Sequence, residues 1–217
     1  MLWLPILRGP LKGKRWLLAT RLNFFLGTYE PEQTAAFLET VNAGDVVYDI
    51  GAHCGYYALL ASGLVGQGMV FAFEPSPGNV RQLRFHCEAN QCANVTILET
   101  AISDYSGNAR FDNQAGSGVG HLSATGAIEV PVTTLDALVA RLPLPTVIKI
   151  DVEGEEVAVL EGARQVIAKT KPAIFLSTHG DDLRERCLRF LQEFGYRNQF
   201  FTSGDLLATA VVSLAER

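Results

Sequence analysis

The chain has 217 residues, 48% of them hydrophobic and 19% charged, with a net charge of −5. That is enough apolar material for one sizeable core and too little charge for extended disorder. No apolar run approaches a membrane span, the four cysteines form no C-x-x-C pair, and no histidine stands at zinc-finger spacing.

The charge is uneven along the chain. Residues 1–29 hold Arg8, Lys12, Lys14, Arg15 and Arg21 and no acid, so the remainder, with 13 basic and 23 acidic residues, stands at −10. Residues 1–30 therefore read as a basic arm or lid, and 31–217 as the main domain. Trp3, Leu4, Trp16, Leu17 and Leu18 are expected to pack the arm onto that domain while its cations stay solvated. Pro5 and Arg8 interrupt the apolar start and no small-residue cleavage site follows, which implies a cytoplasmic protein without stable membrane insertion.

A helix is expected from Pro31, with Glu32 in its first turn and Phe37, Leu38 and Val41 as its apolar stripe, closed by Gly44. Next comes the stretch that organises the chain, Val46-Val47-Tyr48-Asp49-Ile50-Gly51-Ala52-His53-Cys54-Gly55. It reads as a strand ending in an acid, a tight turn and a helix running from Tyr56 to Leu64. Gly51 removes a Cβ where a ligand would lie against the backbone, and Gly55 lets the helix start close to the strand. A three-glycine turn would accept a pyrophosphate; a D-x-G-x-x-x-G turn puts a carboxylate there and suits a cationic ligand. S-adenosylmethionine (SAM), with an ammonium, a sulfonium and no phosphate, fits. A second strand, Met69–Phe73, ends in Glu74, placed 23 residues after Gly51 to bond both ribose hydroxyls.

Ser76 and Pro77 open a helix with Val80, Leu83 and Cys87 on one face, ending near Asn90. Val95 to Ile102 is expected as one strand whose tip, Thr100, Ala101 and Ile102, reaches the ligand edge and supplies the walls and a polar partner for an adenine ring. Ala109–Asn113 and Ile128–Val132 are expected as an inserted hairpin. The glycine-rich stretch from Gln114 to His121 between them reads as an acceptor flap, with His121 a solvated loop residue. Thr134 caps a helix carrying Leu135, Leu138, Val139 and Leu142. Thr146–Asp151 is a strand with acids at its tip, followed by one helix from Glu155 to Lys171 whose end charges match its dipole. A strand ending at His179, a helix from Asp181 to Phe194 and an antiparallel pair, Tyr196–Phe201 with Leu206–Ser213, complete the chain. The alternation implies an α/β, Rossmann-like doubly wound sheet, mostly parallel, with a C-terminal antiparallel hairpin. Asp49, Glu74, Ala101, Asp151 and His179 all fall at carboxyl ends of strands, where such sheets bind ligands.

Taken in order, Gly27-Thr28-Tyr29-Glu30, Asp49-Ile50-Gly51-Ala52-His53, Phe73-Glu74-Pro75-Ser76-Pro77, Ala101-Ile102-Ser103-Asp104, Val130-Pro131-Val132-Thr133-Thr134-Leu135-Asp136 and Ile148-Lys149-Ile150-Asp151-Val152-Glu153-Gly154 resemble the FkbM-type methyltransferases. The resemblance implies a class I methyltransferase fold and SAM-dependent O-methylation of a hydroxyl on a small molecule, sugar or polyketide. It implies that Tyr29, Glu30, Asp49, Gly51, Ala52 and Gly55 line the cofactor, that Glu74 and Pro75 hold its ribose side, and that Ala101 and Ile102 flank adenine. Asp151 would lie near the methyl. The chain departs from many members at Ser177-Thr178-His179, where they carry an acid before the histidine.

For the chemistry, His179 or Asp151 is expected as the base that takes the acceptor proton, with Glu153 binding acceptor hydroxyls. No third ligand joins Asp151 and Glu153, so no metal is expected. A nicotinamide-dependent oxidoreductase and a non-catalytic SAM-binding module are the alternatives. The acidic domain argues against a nucleic-acid substrate. A homodimer is compatible with the sequence.

Overall fold

A computed structural model describes residues 2–18, 22–113 and 120–211. The chain opens with a hairpin of β1 (Trp3–Pro5) and β2 (Arg15–Leu17) and a short helix, α1 (Leu22–Leu26). Then come α2 (Pro31–Thr40), β3 (Val46–Ile50), α3 (Tyr56–Leu64), β4 (Met69–Phe73), α4 (Pro77–Ala89) and β5 (Val95–Leu98). The insertion is built from β6 (Ala101–Ile102), β7 (Gly107–Asp112), β8 (His121–Leu122), β9 (Ile128–Thr133) and α5 (Leu135–Leu138). The last third holds β10 (Val147–Ile150), α6 (Glu156–Glu161), α7 (Arg164–Thr170), β11 (Ala173–Leu176), α8 (Asp181–Glu193), β12 (Tyr196–Phe200) and β13 (Leu206–Ala210).

The central sheet has seven strands in the order β12-β13-β11-β10-β3-β4-β5. Strands β11, β10, β3, β4 and β5 are parallel, and β13 and β12 close the edge antiparallel, as the sequence leads one to expect. Chain order runs outward in both directions from the β3–β10 pair, so the loops after these two strands diverge and leave a crevice at their carboxyl ends. Both faces of the sheet are covered. Val47 joins the apolar cluster on one side, Tyr48 and Ile50 the cluster on the other, following the two-residue period of a strand. Ile6, Leu11, Trp16, Phe24 and Phe25 belong to the same cluster as Val47 and Leu59, so these five residues anchor the N-terminal segment in the core.

Several sequence expectations need correction. Of the five arm residues expected to pack inward, Trp16 and Leu17 are buried, but Trp3, Leu4 and Leu18 are exposed. In α2, Leu38 faces outward and Gln33 and Thr34 face inward, and the helix ends at Thr40 with Val41 extended rather than at Gly44. The Val95–Ile102 run is two strands. β5 stops at Leu98, and β6 crosses to a second, four-stranded sheet, β6-β9-β7-β8, where Thr100 Oγ1 donates to the Pro131 carbonyl at 3.0 Å. The expected antiparallel pairing of the insertion is present between β7 and β9, and β6 and β8 extend it into a small sheet. Residues 114–119 of the expected flap lie outside the described residues, and His121 is in β8.

The single helix expected after Asp151 is broken. The Asp136 carboxylate accepts from the amides of Gln165 (3.0 Å) and Val166 (2.9 Å) and so starts α7 as a separate helix. At the break, a Cβ on Gly162 would collide with the Ser103 carbonyl, so glycine lets the insertion dock there.

Candidate active site

Asp49 lies buried on β3, directly opposite Lys149 of β10 in the parallel register. Lys149 is fully buried in the middle of an otherwise apolar strand. Its Nζ lies 3.2 Å from Asp151 Oδ2, donates to Ser177 Oγ at 3.2 Å, and stands 5.1 Å from the Tyr57 ring centre. Burial pulls the ammonium down, but Asp151, Glu30 and Asp49 outweigh it and hold Lys149 above its usual value. Burial pushes Asp49 up to about 7 despite the lysine, with Asp151 and Glu74 adding to the rise. Asp49 Oδ2 is buried and has no hydrogen-bond partner among the described residues.

The turn after β3 is tight for a steric reason. Gly51 has φ +79°, and a Cβ there would fall on the Asp151 carbonyl oxygen. The amides of Gly51 and Ala52 both donate to the Phe73 carbonyl at 3.0 Å, which ties the turn to the end of β4. Glu74 sits just beyond, buried. Its Oε2 accepts from the His53 amide (2.8 Å), and its Oε1 from the Ser76 amide (2.8 Å) and Asn79 Nδ2 (3.3 Å). Burial raises Glu74 to about 7 against those three bonds. Each carboxylate oxygen carries two lone pairs, so capacity remains for a ligand.

The opposite wall comes from the loops after β10 and β11. Glu156, which the sequence suggests as a charge at the start of a helix, is fully buried. His179 Nδ1 faces Glu156 Oε1 at 2.6 Å, and His179 Nε2 faces Glu153 Oε2 at 3.4 Å. The bond to Glu156 raises His179 to about 9 against burial, with Glu153 and Asp151 helping, so the imidazole is a cation at neutral pH. Burial raises Glu153 and Glu155 above the ordinary carboxylate range.

One cleft of about 260 Å³ runs between these walls. Of the expected cofactor residues, Tyr29, Glu30, Gly51, Glu74, Pro75, Ala101 and Ile102 line it, and Asp151, Glu153 and His179 face it from the far side. Asp49 and Ala52 line a smaller adjoining recess shared with Tyr29, Gly51 and Asp151. Gly55 lines neither. It has φ +93°, and a Cβ there would meet the Leu83 side chain, so it serves helix packing. Thr100, expected at the same strand tip, also lines the cleft, whereas sequence reasoning missed Phe24, His53, Phe111 and His121, which line it too. Lys149 and Glu156 were also missed, although a lysine inside an apolar strand was a readable signal. Glu30 is held in place by bonds to Oε2 from Gln33 Nε2 (2.6 Å) and Tyr57 Oη (2.8 Å).

A family model for the methyltransferase FkbM domain matches residues 49–198. The chain belongs to this family. An FkbM methyltransferase from Methylobacillus flagellatus superposes with a TM-score of 0.60 at 21% identity, covering 87% of this chain and 52% of that one. A precorrin-6y C5,15-methyltransferase from Geobacter metallireducens gives 0.61 at 18% identity, over 91% and 94% of the two chains. The fold is thus that of the class I methyltransferases. The hexuronic acid methyltransferase AglP of Haloferax volcanii is 31% identical over 137 residues, 61% of this chain and 56% of AglP. The chain therefore spans a little over half the length of that relative.

Proposed function

We propose that the chain is a SAM-dependent O-methyltransferase acting on a hydroxyl of a sugar-like acceptor. The observation that carries this reading is the set of acids at neighbouring strand ends, Asp49, Glu74 and Asp151, around one cleft and its recess. The unpartnered buried oxygen of Asp49 asks for a donor or a cation, which fits an ammonium or sulfonium and not a pyrophosphate. The same acids disfavour the nicotinamide alternative, whose phosphates they would repel.

When bound, SAM supplies a methyl group activated on a sulfonium. Glu74 accepts the ribose hydroxyls, with Pro75, Ala101 and Ile102 forming the walls of the adenine side. Asp49, Gly51, Ala52, Tyr29 and Glu30 form the methionine side. Lys149 aims the Asp151 carboxylate through their 3.2 Å contact. Asp151 takes the acceptor proton, because His179 is already protonated at neutral pH. His179 instead holds Glu153, whose carboxylate accepts bonds from acceptor hydroxyls. The hexuronic acid relative supports a sugar acceptor, and three carboxylates, Asp151, Glu153 and Glu155, suit a polyhydroxylated one.

The test uses SAM with a labelled methyl and a panel of neutral and uronic-acid glycosides. Label should appear on a glycoside oxygen, be unchanged by a metal chelator, and fall about 100-fold or more in Asp151→Asn while SAM binding stays within a few fold. SAM binding with no labelled product across the panel would favour the non-catalytic module.

A further inference from the structure

The active site leaves the N-terminal segment unexplained. Twelve large hydrophobic residues are exposed among those described, and seven of them precede Gly27: Leu2, Trp3, Leu4, Leu7, Leu18, Leu22 and Leu26. Leu2, Leu7 and Leu22 are the most open, at 69%, 59% and 70%. These residues adjoin one another. The Leu18 amide bonds the Leu2 carbonyl at 3.1 Å, and the Leu7 amide bonds the Phe25 carbonyl of α1 at 2.9 Å. Gly9 lies against Gly27 so closely that a Cβ would sit 2.8 Å from its Cα. The hairpin and α1 are thus joined, and seven of the twelve exposed large hydrophobic residues gather on this part of the chain.

The same segment carries Arg8, Lys12, Lys14 and Arg15 and no acid, on a chain whose remainder stands at −10. Arg15 lies over the Trp3 ring, 4.7 Å from its centre. An exposed tryptophan beside a cation is the pairing that sits at lipid headgroup level, with the ring in the apolar boundary and the charge among phosphates.

We propose that the β1–β2 hairpin and α1 form a docking face for an anionic lipid surface. The charge complementarity carries the choice of partner. A bilayer offers anionic headgroups and an apolar layer directly beneath them, and it accepts leucines without a fitted pocket for each. A protein partner would need both matched in shape. No helix among the described residues is long and apolar enough to cross a membrane, and the association proposed is a peripheral one through this face. It also has a consequence for the site. Phe24 lies in α1 between Leu22 and Leu26, and it lines the cleft. Docking through α1 would hold the cleft beside the lipid surface.

Co-sedimentation with vesicles tests this. The wild-type chain should pellet with phosphatidylcholine vesicles containing phosphatidylglycerol and stay in solution with pure phosphatidylcholine. High salt should release it. Arg8→Ala with Lys12→Ala should weaken binding roughly thirtyfold, at the usual contribution of a cation near an anionic surface. Leu7→Ser with Leu22→Ser should weaken it at least about tenfold at any salt concentration. All four positions are exposed, and an unchanged melting temperature confirms the fold. Failure of the wild type to bind the anionic vesicles, or binding indifferent to both double variants, overturns the proposal. So does a wild-type dimer that ignores vesicles and becomes a monomer in Leu7→Ser/Leu22→Ser, since the face would then join two copies of the chain.

Discussion

Lys149 is fully buried and tolerable there only because Asp151 and Ser177 accept hydrogen bonds from its ammonium and Asp49 lies opposite. Removing one partner of a buried ion pair leaves the others uncompensated, which typically costs about 3–5 kcal/mol. Lys149→Met should therefore lower the unfolding free energy by roughly that amount in denaturant titration, far more than loss of an exposed lysine would. His179 gives a pH signature. Its folded value of about 9 stands above the ordinary 6.5, so the folded state holds a proton that the unfolded chain releases. The stability this adds is full below pH 6.5 and disappears as pH rises through about 9. His179→Gln should flatten the decline of melting temperature over that range. An unchanged slope would show that the Glu156–His179 pair does not carry the extra proton.

At the scale of elements, the turn between β3 and α3 is held by geometry more than by chemistry. Gly51→Ala would place a methyl on the Asp151 carbonyl at a positive φ, forcing β3 and β10 apart at their tips. We expect a loss of at least about 2 kcal/mol in stability and no measurable SAM binding, read by thermal melting and calorimetry. This turn was legible in the sequence because its constraint is local: an apolar run, an acid and two glycines at fixed spacing. The mostly parallel sheet with its antiparallel C-terminal hairpin was legible for the same reason, since alternating strands and helices leave few ways to wind. What was not legible depends on contacts distant in sequence. The division of Val95–Ile102 depends on Thr100 reaching Pro131, and the α6–α7 break depends on Asp136 capping residues some 30 positions away. Glu156 looked like a helix-end charge because nothing nearby in the chain marks its partner, His179, 23 residues on. Trp3, Leu4 and Leu18 look inward-facing on composition alone, yet the core is filled by Ile6, Leu11 and Trp16.

The whole molecule combines a cleft lined by acids with a basic, apolar edge. Asp49 and Glu74 both stand at about 7, so the charge that greets a cationic cofactor increases as pH rises through neutrality. SAM affinity should accordingly rise between pH 6 and 8, and Asp49→Asn should weaken that dependence; affinity constant across the range would contradict the assignment of Asp49 to the cationic end. The central claim is that this FkbM chain uses SAM in the cleft bounded by Glu74. The most direct measurement is calorimetric titration of the purified chain with SAM and separately with NADH, repeated on Glu74→Ala with its melting temperature checked. The account predicts saturable heat with SAM, none with NADH, and affinity at least about tenfold weaker in the variant, the usual loss for hydrogen bonds to a charged group. Heat with NADH and none with SAM would contradict it.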